Sequence, residues 1–292
     1  MSTISETKQV GRARTAGNKI TPSKVLIYFI LILWALICLF PVYWMLTFSL
    51  KDNAEIFGAN VIGLPNNWLW SNYTEALKTG RMDLYFLNSF IVAVATILIT
   101  LIASAMATYA MTRLVWKGRE TMNKFFMLGL TIPIHAAIVP VFTILSKMKL
   151  LNTYAALIVP YAAFSLSMGI LISIGFMGDI PYDLDEAAFL DGCGVWKIFF
   201  KVIAPLMMPA IATVGIYTFL QCWNELLFAT IFVSSGKYRT LPVGVQQLFG
   251  QYTTDWGPIG AALTIATLPT MIVYALLSKR IQASFIAGAV KG

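Results

Sequence analysis

Six apolar runs, each close to twenty residues or longer and nearly free of charge, constrain this chain more than anything else in it. They are Val25–Phe48, Asn88–Thr112, Phe125–Ser146, Tyr154–Met177, Ile203–Val233 and Ile259–Leu277. Runs longer than about 18 apolar residues read as membrane spans. In lipid each must be a helix, because an open strand leaves its backbone polar groups unpaired. At 1.5 Å per residue the first run reaches roughly 36 Å, more than a hydrocarbon core of about 30 Å, and Pro41 is expected to bend its far end. The expectation is an all-α, polytopic membrane protein with six transmembrane helices. The fifth run is long, and Trp223-Asn224-Glu225 within it points to a tilted helix or one that emerges before it ends.

Composition agrees: 58% of the 292 residues are hydrophobic and 12% are charged, against about 25% charged in a soluble domain. The net charge of +8 does not mark a nucleic-acid protein, since the basic residues flank apolar runs and do not gather in one patch. Cys38, Cys193 and Cys222 have no metal-ligand spacing and read as unpaired structural thiols. The first apolar run is too long for a signal-peptide core and is expected to stay as a membrane helix. With the N-terminus inside, the inner segments carry 14 Lys and Arg and the outer ones 7. That bias predicts both termini in the cytoplasm.

The outer segments differ. Ser49–Leu87 carries Trp68, Trp70, Tyr73 and Tyr85, which suit interface anchors or partner contacts. Ser234–Gly257 is about 24 residues and rich in Gly, Gln, Tyr and Thr, long enough for a functional loop.

The inner segment from Gly178 to Val202 holds five of the chain's 13 acids: Asp179, Asp183, Asp185, Glu186 and Asp191. Pro181 opens a helix well, and Asp183, Asp185 and Glu186 suit its positive end. Gly192 suits the left-handed residue that closes it. Two turns are far below the ~12–15 residues at which isolated helices become marginal, so the helix must pack on something. Leu184, Ala187 and Ala188 fall on one narrow face, apt for a knob in a cleft. Trp196, Phe199, Phe200 and Ile203 are expected at the membrane surface, with Lys197 and Lys201 on the opposite face, and Pro209 is expected to bend the next span. Acids this dense with few local cations invite an Arg or Lys from another chain.

This stretch resembles the EAA loop of permease subunits of binding-protein-dependent ABC importers. Glu186-Ala187-Ala188, Asp191-Gly192, Ile203, Pro205 and Pro209 follow the pattern E-A-A-x-x-D-G…I-x-L-P, with Cys193 and Ala204 as departures. "WNELLFA", "RTLPVGVQQLFGQYTTDWG", "FPVYWMLTFSLKDNAEIF" and the terminal "AGAVKG" are similar to the carbohydrate branch, and Ser284 departs from its usual Gly. The resemblance implies a type I ABC importer transmembrane fold with a cytoplasmic coupling helix. It divides the chain into a cytoplasmic tail (1–24), a first helix with its outer loop (25–87), a transmembrane core (88–278, with the EAA loop at 183–209) and a C-terminal tail (279–292). It further implies a heterodimer with a second permease subunit, two ATP-binding ATPase subunits and an extracytoplasmic solute-binding protein. The cargo it implies is a carbohydrate, with another polar solute such as glycerol phosphate or an amino acid as the alternative.

The ATPase-coupling residues are then Asp185, Glu186, Ala187, Ala188, Asp191 and Gly192, with Glu186 expected to meet a cation on the ATPase. The chain has no G-x-x-x-x-G-K-[ST], no metal cluster and no expected cofactor, so it is read as non-catalytic and the ATP chemistry as another chain's. His135, the single histidine, lies between Pro133 and Pro140. It either bonds a carbonyl freed by proline or lines the sugar pathway with Gln221, Asn224 and Glu225. Glu225 equally suits an interfacial charge facing water. Gln246, Gln247, Gln251 and Tyr252 are candidates for contact with the binding protein, on a loop that otherwise only connects two helices. A secondary transporter or an intramembrane enzyme would need paired intramembrane charges or a nucleophile–base set, which the sequence lacks.

Overall fold

The computed structural model describes residues 22–250 and 254–289, and no strand occurs among them. The chain divides into two compact units, residues 1–45 and 46–292. The first contains most of α1 (Pro22–Phe48), apolar all round, as a membrane span is and a surface helix is not. The helix continues through Pro41.

The second unit opens with α2 (Asn53–Ile56), whose N-cap Asp52 accepts from Glu55 N, and α3 (Ser71–Lys78). Between α1 and α3 lies Lys51, fully buried, with its ammonium donating to the carbonyls of Asn60 and Gly63 at 2.7 Å each. Then comes α4 (Met82–Thr112), whose 31 residues amount to about 46 Å of helix, longer than a bilayer core. After it follow α5 (Arg119–Gly129), a 3₁₀ turn at Ile134–Ala137, α6 (Ile138–Lys147) and α7 (Ala155–Met177). Next are α8 (Asp183–Leu190), α9 (Val195–Ile198), a π turn at Phe199–Ile203, α10 (Ala204–Leu206) and α11 (Met208–Trp223). The chain closes with α12 (Leu227–Phe232), α13 (Leu241–Gln247) and α14 (Trp256–Ala289).

Among the described residues, four helices are long and apolar enough to cross a membrane by themselves: α1, α4, α7 and the Trp256–Leu276 part of α14. Six spans result if each of two bent pairs is one span. The run Phe125–Ser146, expected as one helix, is broken, with its two halves at 95°. Pro133 is extended there and has no N–H to continue α5, whereas Pro140 sits in the first turn of α6, where that loss is cheap. The run Ile203–Val233 is likewise not continuous. It bends by 74° at Met207 and breaks again at Asn224–Leu226. Pro205 and Pro209 each remove a donor one turn apart, which accounts for the preceding π turn and for the bend expected at Pro209. The last helix starts three residues before Ile259 and runs on to Ala289, into the stretch expected as a tail.

α4 packs along α7 and α11. Its buried side chains include Asn88, Ser89, Thr96, Thr100, Ser104 and Thr108, small polar residues that let helices approach closely in lipid. The three helices come close at Gly169 of α7, where a Cβ would stand 3.1 Å from both Ser104 Cβ and Val214 Cγ1. Two apolar cores form at the two ends of α4. One joins Met82, Tyr85 and Val92 to Trp223, Phe228, Phe232 and Leu241. The other joins Ala105 and Tyr109 to Met177, Ala188, Ile198, Phe199, Ile203 and Met207. Phe199 and Ile203 are thus core residues and not surface ones as expected, while Trp196 and Phe200 stack on each other in the open.

Candidate functional site

Three places along the bundle hold the candidate residues. At the far end of α4 lies α8, which runs from Asp183 to Leu190 with Asp183, Asp185 and Glu186 in its first turn. Its end is a Schellman closure: Cys193 N bonds Ala188 O at 3.0 Å, Gly192 N bonds Phe189 O at 2.9 Å, and Gly192 has φ +77°. The helix packs on its own chain. Ala188 is buried in the second core, so the narrow face expected to be a free knob is partly the seat. The free surface includes Glu186, Ala187, Phe189 and Leu190, the last two 72% and 85% exposed. Asp191 is exposed at the C-cap.

The expected shortage of local cations is corrected by Arg113, which follows α4 directly. Its Nη1 lies 3.2 Å from Asp185 Oδ2, and the two side chains are 3% and 16% exposed. The other Nη donates to Met177 O at 3.0 Å and to Ile180 O, and Cζ sits 4.0 Å over the Tyr182 ring. Tyr182 Oη donates to Thr112 O at 2.6 Å. Of the six coupling candidates, Asp185 therefore faces inward. Burial pushes its carboxyl above the usual carboxylate range, and the Arg113 guanidinium offsets only part of that shift. Arg113 is legible in sequence only as one more flanking cation.

Halfway along the bundle α7, α11, α12 and the 3₁₀ turn line an open cavity of about 400 Å³, within the usual range for a small-molecule site. His135, Gln221 and Glu225 line it, with Tyr161, Ser165, Tyr217 and Phe228. Glu225 is held by two elements. Its carboxylate accepts from Phe228 N at 2.8 Å and Ala229 N at 3.1 Å, capping α12, and from Tyr161 Oη at 2.5 Å. Gln221 donates to Tyr217 Oη at 2.9 Å. The His135 ring stands edge-on to Phe228, with centroids 6.2 Å apart; a bond to a proline-freed carbonyl is not among its contacts in the described residues. Asn224 departs from the group: it donates to Leu220 O and lines a separate cavity with Trp223 and Thr267. Tyr161 and Tyr217, hydroxyls within apolar runs, were the missed signal.

At the start of α4 the loop after α12 is pinned. Asn88 donates to Lys237 O and Arg239 O at 3.0 and 2.8 Å and accepts from Tyr154 Oη at 2.7 Å. Asn152 Oδ1 accepts from Ser234 N, Ser234 Oγ and Ser235 N. α13 then carries Gln246 and Gln247 outward, with Gln247 accepting from Arg239 at 2.9 Å. Gln251 and Tyr252 lie outside the described residues.

The family described as binding-protein-dependent transport system inner membrane component matches residues 99–286. The sulfoquinovosyl glycerol transport system permease protein SmoH of Agrobacterium fabrum is 36% identical, over 87% of this chain and 89% of that one. The trehalose/maltose transport system permease protein MalG of Thermococcus litoralis is 34% identical, over 89% of this chain and 94% of that one. A crystal structure of a bacterial ABC transporter that imports alginate matches with a TM-score of 0.79 at 20% identity. It covers 89% of this chain and 98% of its own. At that identity the likeness concerns the fold, which is that of a type I ABC importer permease.

Proposed function

We infer the function from one premise: this chain belongs to the family of binding-protein-dependent transport system inner membrane components, and is a multi-pass membrane protein. It is a carbohydrate-type ABC permease, and we propose that it forms half of the translocation pathway of an ATP-driven carbohydrate importer. The observation that carries the proposal is α8, a helix too short to stand alone, with one face in the core and Glu186, Phe189 and Leu190 turned outward. Such a knob fits a cleft on a separate ATPase chain, with Glu186 available to a cation there. Two such ATPase subunits, a second permease subunit and an extracytoplasmic solute-binding protein complete the assembly. Closure of the ATPases would displace α8 and shift the spans of the core, residues 88–278, between outward- and inward-facing states.

Both termini are then cytoplasmic, as the Lys and Arg bias favours. Helix α13, with Gln246 and Gln247, faces the binding protein, and Gln251 and Tyr252 are candidates for that contact from the sequence alone. The cavity supplies the substrate chemistry. Tyr161, Tyr217 and Phe228 offer ring faces, and Glu225, Gln221 and His135 offer polar groups to sugar hydroxyls. The names of the relatives, trehalose/maltose and sulfoquinovosyl glycerol systems, support the carbohydrate class. Among the described residues, no Lys or Arg lines the cavity to favour a phosphate ester. Reconstitution with the cognate ATPase, sibling permease and binding protein tests the proposal. Uptake of radiolabelled trehalose or maltodextrin should require ATP and the binding protein. ATP-dependent uptake of glycerol phosphate with no sugar uptake would overturn it.

A further inference from the structure

Resting on that reading, we propose that Arg113 is the positioning residue that joins the coupling helix to the ends of α4 and α7, making the three one mechanical body. The contacts form a closed ring. Arg113 follows the last residue of α4, and its guanidinium reaches the carbonyl of Met177, the last residue of α7. The same group holds Ile180 O in the connecting turn and stands 3.2 Å from Asp185 in the first turn of α8. Tyr182 closes the ring by lying under the guanidinium and donating back to Thr112 O. A planar guanidinium can donate to two carbonyls through one Nη while its other Nη stands beside a carboxylate as an ion pair; an ammonium is a single point charge.

Burial gives the ring its mechanical meaning. The Arg113 side chain is 3% exposed, and a buried charge that loses its partner is costly. Moving α8 away from α4 would strip the buried guanidinium of Asp185. Moving α8 together with α4 and α7 leaves every contact in place. The apolar seat, with Ala188 against the Tyr109–Phe199 core, resists the same separation. Force on the exposed tip at Phe189 and Leu190 therefore enters the membrane through α4 and α7, which pack along each other.

The experiment uses the complete transporter complex in nanodiscs, with spin labels at Ile102→Cys on α4 and Asp183→Cys on α8, both exposed, in a cysteine-free background. In the otherwise native complex the distance distribution should be narrow and unchanged by ATP, because both labels sit on one body. With Arg113→Ala it should broaden. Uptake per ATP hydrolysed should fall about tenfold, in the range of coupling energies between sites, while basal hydrolysis stays within about twofold. Arg113→Lys, which keeps the charge but not the fork, should restore part of the coupling, and Asp185→Asn, which removes the charge on α8 that the guanidinium faces, should lower it as well. A label distance that changes with ATP in the native complex overturns the proposal, as does full coupling in Arg113→Ala. If Arg113→Ala does not assemble, Arg113→Lys decides: coupling equal to native overturns the proposal. Failure of the native complex to couple hydrolysis to sugar uptake instead refutes the importer reading, and the label distances still report on the ring.

Discussion

Gly192 takes φ +77° with nothing within 4 Å of where a Cβ would stand. A side chain there meets no steric wall, so its cost is purely conformational, roughly 1–2 kcal/mol for a residue forced into the left-handed region. Asn tolerates that region and Val does not. Uptake per ATP should therefore fall in the order Gly, Gly192→Asn, Gly192→Ala, Gly192→Val, with insertion into the membrane unchanged. Equal coupling in the Gly192→Val complex would remove the turn from the mechanism. Asp185 yields a prediction of a different kind. Its carboxyl titrates above its unfolded value because burial outweighs Arg113, so its ionised form costs stability in the folded chain at neutral pH. That cost is present above the raised folded value and disappears as the folded state takes up a proton on acidification. Melting in detergent should show the native chain gaining on Asp185→Asn as pH falls through that value. A difference that is flat with pH would contradict it.

Elements built from local signals were legible in the sequence, and those built from long-range contact were not. The acidic first turn and the closing glycine of α8 announced the helix, because capping is decided by residues within one turn of the end. The partner of Asp185 did not announce itself, since Arg113 is 72 residues away in sequence and carries the same charge as every other flanking cation. The break at Pro133 was hidden by hydropathy, which counts apolar residues and ignores missing donors. Asn224, adjacent to Glu225 in sequence, belongs to a different cavity because the chain breaks between α11 and α12. The six-residue α12 depends on that break, with Glu225 as its acceptor cap. Glu225→Ala should cost about 1 kcal/mol through the lost cap and raise the KM for sugar uptake through the lost cavity acceptor. Tyr161→Phe should leave the cap in place, since Phe228 N and Ala229 N still reach the carboxylate. A KM that rises with Glu225→Ala and not with Tyr161→Phe assigns the carboxylate itself to the sugar. Native KM in both would take this cavity off the pathway.

At the scale of the molecule, the two cores and the two ends of α4 divide the labour. The core at Asn88 and Trp223 fixes the loop that carries α13, and the core at Tyr109 and Phe199 fixes α8. Helix α4 links them over about 46 Å, so a displacement at one end is delivered to the other without crossing a flexible joint. This arrangement serves an importer only if α8 faces the side that holds ATP and α13 faces the side that supplies solute. Single cysteines at Phe189, 72% exposed, and at Gln246, exposed on α13, test that in a background with Cys38, Cys193 and Cys222 replaced. On intact cells a membrane-impermeant maleimide should label Gln246→Cys and spare Phe189→Cys, and inverted vesicles should reverse the pattern. Stripping the ATPase from inverted vesicles should increase labelling at Phe189→Cys, because the tip of α8 is the proposed contact. Labelling of Phe189→Cys from outside intact cells would place the knob away from ATP, and no nucleotide-driven cycle could then reach α4 through it.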